Sequence, residues 1–352
     1  MYESITYEVI LQRMLDRVSD QMDKREGSII YDALAPAAVE LQLMYIELDA
    51  VLNESFGDTA SRDFLIKRAA ERGLSPKAAT YAVLKGEFNI DVSVGSRFSC
   101  SDLNYVVTEQ VSTGVFKLRC ETIGVIGNKN FGDLIPIDYI EGLETASLTE
   151  LLIPGEDEEE TEKFRTRYFN SFDSQAFGGN VADYTEKTDA LPGVGGCKVY
   201  PVWNGGGTVK LVILDSQFQT PSVDLIAEVQ EAIDPVGHGG EGLGLAPIGH
   251  VVTVVGAENV TINIASTITY TDGYDFASSI EAIKAAIEEY FDELRKGWES
   301  EAAVIVRISQ IETRLLGLPE ILDIQDTTIN ASDRNISLES HQIPVRGTVN
   351  GA

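Results

Sequence analysis

The pattern of apolar and polar positions is helical over the first 75 residues and strand-like from about residue 80. Ile5, Val9, Leu11, Met14, Leu15, Val18 and Met22 recur at helical spacing with polar residues between them. Gly27 and Ser28 interrupt that run. A second helix is predicted over 29–55, where Leu34, Ala37, Leu41, Met44, Leu48 and Val51 follow a 3-4-3-4-3 spacing. This is a short a/d seam, suited to lengthwise packing against another helix, and its residues are the candidate assembly interface. The partner is either the first helix or a neighbouring chain; periodicity does not separate the two. Pro36 predicts a kink or a helix start. Gly57-Asp58 close the helix. Residues 63–72 read as one more short helix, with Gly73 as its C′ residue and Leu74 as the accompanying apolar contact.

Strand-like alternation then runs through 82–90, 94–98, 105–108 and 114–121, with Gly124, Gly127 and Gly132 marking turns. The acidic run Glu156-Asp157-Glu158-Glu159-Glu160 leads into a predicted helix over 161–172, whose unpaired N–H groups favour carboxylates. The run is either a solvated helix start or a seat for a cation or basic partner. Residues 183–187 suggest a further short helix. Strands at 197–202 and 208–214 form a predicted hairpin around Trp203-Asn204-Gly205-Gly206-Gly207. A helix follows Pro221-Ser222, with Ile226, Val229 and Ile233 on one face, and ends at Asp234-Pro235. Two more strands fall at 251–255 and 260–265. The order β-β-α-β-β fits a two-layer α+β domain.

After Asp272-Gly273, Ser278 and Glu281 form a candidate capping box for a helix with Ile280, Ile283, Ile287, Phe291 and Leu294 on one face. A short extended piece at 304–306, a helix at 308–316 and strand-like residues at 320–340 complete the pattern. The tail, 347–352, is expected to be mobile. The fold class is thus α+β multidomain. It comprises an N-terminal helical region (1–78), a central turn-rich β domain (79–152), a two-layer α+β domain (153–272) and a C-terminal α+β region (273–352).

Charge narrows the partners. Twenty-seven lysines and arginines stand against 56 acidic residues among 352, a net charge of −29. That disfavours nucleic-acid backbones and anionic membranes, and leaves a basic partner, a cation or plain solubility. No apolar run approaches about 18 residues, so no membrane anchor is expected. The N-terminus, Met1-Tyr2-Glu3-Ser4-Ile5, lacks the basic and apolar regions of a secretion signal, so assembly in a bacterial cytoplasm is expected.

Candidate chemistry is sparse. Cys100, Cys120 and Cys197 are odd in number and far apart, which fits neither a disulfide framework nor a zinc site. His238, His250 and His341 are scattered. The glycine-rich segment 237–244 lacks the Gly-Lys-Ser/Thr ending of a phosphate loop and is read as a mobile connector. Gly-x-Ser-x-Gly and His-Glu-x-x-His are both missing. Trp203 reads as a turn anchor and Trp298 as a helix-end packing residue. No catalytic residue, no metal and no cofactor are predicted. The competing enzyme reading, a polysaccharide- or wall-degrading hydrolase, requires a cleft with a carboxylate of raised pKa, which nothing local picks out.

Four stretches together carry a resemblance. The first is Gly27-Ser28-Ile29-Ile30-Tyr31-Asp32-Ala33-Leu34-Ala35-Pro36. The second is Arg68-Ala69-Ala70-Glu71-Arg72-Gly73. The third is Gly95-Ser96-Arg97-Phe98 followed by Gly124-Val125-Ile126-Gly127-Asn128. The fourth runs from Gly178-Gly179-Asn180-Val181-Ala182-Asp183-Tyr184 through Leu191-Pro192-Gly193-Val194 and Gly205-Gly206-Gly207-Thr208-Val209 to Ala246-Pro247-Ile248-Gly249. In this order and spacing the chain resembles the baseplate J family of contractile phage tails and tail-like bacteriocins, over about residues 25–325. It departs at Ala246-Pro247, where many relatives have Arg-Pro, and at Ala176-Phe177-Gly178-Gly179, which lacks a nearby proline. The resemblance implies a structural, non-enzymatic wedge component, in two copies in each of six wedges, that links the central hub to the sheath and peripheral parts and rearranges on contraction. Its implied partners are a second copy of itself, other wedge and hub proteins and sheath-proximal proteins, with no nucleic acid.

Overall fold

The computed structural model describes residues 2–173 and 178–351. Ala176 and Phe177, where the family departure was read, lie outside the described residues. The chain divides into two compact units: Met1–Lys77 with Glu159–Ser174, and Ala78–Glu158 with Gln175–Ala352.

The first unit is helical. It holds α1 (Tyr7–Leu15), α2 (Ile29–Glu54), α3 (Arg62–Ala70) and α4 (Thr161–Asp173). α1 stops well short of Met22, because residues 16–22 fall into turns in which Ser19 Oγ accepts from the Gln21 N–H at 3.3 Å. Ser28 caps α2 by accepting from the Tyr31 N–H at 3.2 Å. The helix therefore starts at Ile29, and Pro36 lies inside it rather than at its beginning. Ile10, Leu11 and Leu15 of α1 pack on Ala38 of α2.

α4 belongs to this unit, not to the α+β domain where the linear reading placed it. Phe164 and Tyr168 stand one turn apart and need cover, and Leu65 and Ala69 of α3 supply it. Arg165 donates to the carbonyls of Gly57 and Ala60. Arg167 grips both oxygens of Glu159 at 2.9 and 2.7 Å and reaches the Ser75 carbonyl at 2.6 Å. Burial raises Glu159, but the Arg167 guanidinium and the Lys77 N–H outweigh it and hold the carboxyl below its usual value. This part of the acidic run is therefore bonded internally rather than solvated.

The second unit begins with β1 (Tyr81–Phe88), β2 (Arg97–Cys100), β3 (Leu103–Ser112), β4 (Val115–Ile123), β5 (Gly132–Asp133), β6 (Ile135–Pro136) and β7 (Ala146–Ile153). They form one antiparallel sheet in the order β5-β7-β1-β4-β3-β2-β6. Alternate residues Ala82, Leu84 and Phe88 of β1 join Phe98, Tyr105, Phe116, Leu118 and Leu148 in its core. Gly86 lies between them because a Cβ there would come within 2.4 Å of Leu118.

Next come α5 (Val181–Asp189), β8 (Val194–Pro201), β9 (Thr208–Asp215), α6 (Val223–Ile233) and β10 (Val251–Gly256). β8 and β9 are the expected hairpin, and α6 carries the chain over to β10, parallel to β9. Leu225, Val229 and Ile233 of α6 pack on Leu211 and Ile213 of β9. Ala246, at the Arg-Pro position, is buried in the same core.

The strand expected to complete that sheet joins another one. β11 (Glu258–Tyr270) lies between β13 (Ile321–Ile329) and β15 (Gln342–Gly351). Its strict alternation buries Ile262, Ile264 and Ile268 in one core with Ile283, Ile287 and Phe291 of α7 (Phe276–Lys296). The cap of α7 is Asp275, in a reciprocal box with Ser278, rather than Ser278 with Glu281. β12 (Ile305–Val306), α8 (Ile308–Leu316) and β14 (Ile336–Ser337) complete this part. The tail expected to be mobile is β15, paired in parallel with β11 from Glu258↔Gln342 to Ser266↔Gly351.

The two α+β layers are joined by a buried apolar seam of Val212, Leu214, Ala257, Trp298, Val304, Leu338 and Ile343. Arg295, 1% exposed, binds Glu288 at 2.6 Å, Asp292, and the Pro344 carbonyl at 2.8 Å. Beside it, Asp215 Oδ1 accepts from the N–H groups of Gln217 and Gln219 at 2.9 and 2.8 Å. Burial pushes the Asp215 carboxyl up to about 6, against the pull of those N–H groups and of Arg295.

Candidate docking surface

The titratable groups do not converge. Among the described residues no group of three or more His, Cys, Asp and Glu side chains is placed to hold a metal ion. The three cysteines are buried singly as free thiols. Each histidine has a local partner: His238 Nδ1 lies 3.1 Å from Glu241, His250 Nδ1 2.8 Å from the Tyr184 hydroxyl, and His341 Nε2 3.2 Å from Glu258. The glycine-rich segment is tied rather than loose. Buried Asp234 accepts from the N–H groups of Gly240 and Val252, and Leu245 and Ala246 donate to the carbonyls of Ala232 and Ile233.

Asp215 has the raised pKa that the hydrolase reading requires, but both its backbone bonds close its own turn. A shallow concavity of about 410 Å³ beside β8 is lined by Lys198, Tyr200, Glu299, Glu301 and Ser340, and Asp215 is not among its walls. Lys198 Nζ there donates to the carbonyls of Glu301 and Ser340 at 2.7 and 2.9 Å, and Tyr200 meets Ser340 Oγ at 2.8 Å. Those bonds make the concavity a joint between layers.

The feature without an internal explanation is α2. Only Ala38 of its 26 residues is buried. Counting about 100° per residue from Ala38, the residues facing α1 fall within roughly 60° on either side. They are Tyr31, Leu34, Ala35, Leu41 and Tyr45, all half-buried. Two apolar stripes flank that face, each centred about 110° away from it. One carries Val39, Leu43 and Ile46, which are 44%, 51% and 57% exposed, with Ala50. The other carries Met44, Leu48 and Val51, which are 60%, 48% and 61% exposed, with Ala37. Between them, opposite α1, stand Glu40, Glu47 and Glu54 at seven-residue spacing.

The predicted seam is thus divided by the fold. Leu34 and Leu41 turn toward α1, while Ala37, Met44, Leu48 and Val51 stay exposed. The second stripe escaped the sequence reading, although Val39, Leu43, Ile46 and Ala50 have their own 4-3-4 spacing.

By length and mean hydropathy, 1.3 over its most apolar window, α2 is the one helix among the described residues able to cross a membrane. A charged residue near the centre of a bilayer costs roughly 2.5–3.5 kcal/mol, and Glu40 and Glu47 are two of them. That weighs toward a protein partner.

Comparison with known proteins gives the family context. A model of the baseplate J-like central domain matches residues 176–256, and a model of the baseplate J-like protein C-terminal domain matches residues 262–352. The two matches meet where the chain passes from β10 to β11. The chain is 41% identical over 99% of its length to the uncharacterized protein YqbT of Bacillus subtilis, covering 98% of that protein. It is also 41% identical, over 99% of its length and 98% of the relative, to the phage-like element PBSX protein XkdT of the same organism. A chain of the anti-feeding prophage baseplate, solved by cryo-electron microscopy, aligns over 96% of this chain and 89% of that one, with a TM-score of 0.43 and 7% identity. A likeness that loose carries no statement about this molecule.

Proposed function

The chain belongs to the baseplate J-like family and is a component of a phage-derived tail baseplate, and we propose that it is a structural wedge protein there, docked through α2. In this reading it links the central hub to sheath-proximal and peripheral proteins, works beside a second copy of itself, and shifts as the sheath contracts. Assembly takes place in the bacterial cytoplasm before the particle is released.

The observation that carries the α2 assignment is its six large apolar side chains, each between 44% and 61% exposed, on a helix whose fourth side already has a partner. Fully burying an exposed large apolar side chain stabilises by roughly 1.5–3 kcal/mol, and these six are already about half covered, so together they supply on the order of 5 kcal/mol before the entropy of association is subtracted. Rigid layers suit a mechanical linker, and the seam around Trp298 and Arg295 supports that part of the reading.

The test is antibody-gold labelling of contractile particles from the strain that carries this chain, with mass spectrometry of the same fraction. Label at the tail end distal to the neck is the expected result. Complete absence of the chain from assembled tails overturns the wedge role.

A further inference from the structure

We propose that Asn204-Gly205, at the tip of the β8–β9 hairpin, is a self-modification site at which Asn204 loses ammonia and becomes aspartate and its β-linked isomer. The reaction needs only water and the folded chain, so it does not depend on the baseplate role.

The step is an attack of the main chain on its own side chain. The Gly205 amide nitrogen gives its proton to hydroxide and bonds to Cγ of Asn204. The bond from Cγ to the side-chain nitrogen breaks, that nitrogen takes a proton from water, and ammonia leaves. A succinimide ring remains. Water then opens the ring at either carbonyl. The net change is asparagine plus water to a carboxylic acid plus ammonia. Glycine hinders this attack least, because no Cβ stands beside the nitrogen.

The sequence offers the pair twice. Of its 13 asparagines, Asn204 and Asn350 precede a glycine. The fold puts the two in opposite settings. Asn350 and Gly351 lie in β15, paired with Ala265 and Ser266 of β11. Bringing the side-chain carbon onto the next nitrogen turns the backbone out of its extended form, so ring closure there waits until the strand opens.

Asn204 lies in the loop 202–207, between the end of β8 and the start of β9. It is exposed, and its side-chain amide has no hydrogen bond among the described residues. Its main-chain N–H is held by Thr208 Oγ1 at 3.0 Å. A Cβ built on Gly205 or Gly206 would meet no atom within 4 Å, so the ring and the longer main chain of the β-linked product have space. Below the loop the strands are paired from Pro201↔Val209 to Val194↔Asp215, which confines the rearrangement to the tip. The new carboxylate stands next to Trp203, whose ring centroid is 5.5 Å from Lys210 Nζ. Lys210 has no ion pair among the described residues, so the tip gains a negative charge beside an uncompensated cation.

Peptide mapping of the full-length chain tests this. The folded chain is aged at mildly alkaline pH in water enriched in oxygen-18, then digested in ordinary water, so that heavy oxygen marks conversion before digestion. Trypsin separates the two pairs, into peptides 199–210 and 347–352. Peptide 199–210 is expected to become an acid carrying one heavy oxygen and a methyl acceptor for an isoaspartyl methyltransferase. Peptide 347–352 is expected to convert at least about tenfold more slowly, and unfolding in urea is expected to close that gap. Asn204→Gln, whose longer side chain disfavours the ring, is expected to abolish conversion of 199–210 with the circular dichroism of the parent retained.

Equal rates at the two sites in the folded chain overturn the proposal. So does a peptide 199–210 that stays unchanged over a time in which the urea-unfolded chain converts. Methyl acceptance by the folded chain that Asn204→Gln leaves undiminished places the reaction elsewhere and also overturns it.

Discussion

Leu41 and Met44 stand three residues apart on α2, yet Leu41 packs half-buried against α1 while Met44 is 60% exposed. The helix rotates by about 300° between them, which is enough to carry one side chain from the intramolecular face to an outer stripe. The two positions therefore respond differently to the same change. Leu41→Asp places a charge in the α1–α2 contact and is expected to destabilise the N-terminal unit by about 1–3 kcal/mol. Met44→Asp is expected to stay within about 0.5 kcal/mol of the parent chain, as surface substitutions do. Urea unfolding followed by circular dichroism measures both. Equal losses would show that α1 is not the partner of Leu41.

Arg167 and Glu159 tie the start of α4 to Ser75 and Lys77. Arg167→Met keeps much of the aliphatic packing and removes the bidentate pair, leaving a largely buried carboxylate. The expected cost is about 1–3 kcal/mol, read from the unfolding midpoint. The folded carboxyl lies below its unfolded value, so its contribution is present above the unfolded pKa and disappears as pH falls through the folded one. The difference between the parent and Arg167→Met should therefore shrink on acidification. A difference that holds steady into strong acid would contradict the pairing.

Asp215 has the opposite sign. Its carboxyl is raised from 3.8 to about 6 by burial, so the folded chain holds a proton there that the unfolded chain has released. Stability from this group is full below about pH 4, falls as pH rises toward 6, and levels off above it, a loss of about 2–3 kcal/mol at most. Asp215→Asn keeps an oxygen for the Gln217 and Gln219 N–H groups and removes the titration. Subtracting its stability-against-pH curve from that of the parent should isolate this slope. A flat difference between pH 4 and 6 would show that Asp215 is not raised.

Removing residues 341–352 strips β15 from β11 and takes out Ile343, which is fully buried. Calorimetry of the truncated chain is expected to show loss of the cooperative transition of the C-terminal layer. An unchanged transition would mean that the tail is dispensable.

Several elements were legible because local chemistry dictates them. Ser28 before the run from Ile29 marks α2, and the alternation in β8 and β9 around three glycines marks their hairpin. Alternation reveals that a strand has a buried face but not which sheet it enters, so β11 was expected beside β10. Pro344 and Gly347 break up the apolar rhythm of β15, and a parallel partner some 84 residues earlier leaves no local trace. The partner of Phe164 lies about a hundred residues upstream, at Leu65, beyond any periodicity. The first seam of α2 was read from its spacing, and the second, Val39, Leu43, Ile46 and Ala50, shares no residue with it and lies on the far side of the glutamates. Separating them requires knowing where α1 lies.

The most direct measurement is assembly in a strain lacking this chain, complemented with the parent gene or with Leu43→Asp/Leu48→Asp. Both substitutions fall on exposed side chains, so the purified variant is expected to fold as the parent does. The account predicts that the parent restores tails bearing complete baseplates and that the folded variant does not enter them. Complete tails containing the variant at parental abundance would contradict docking through α2.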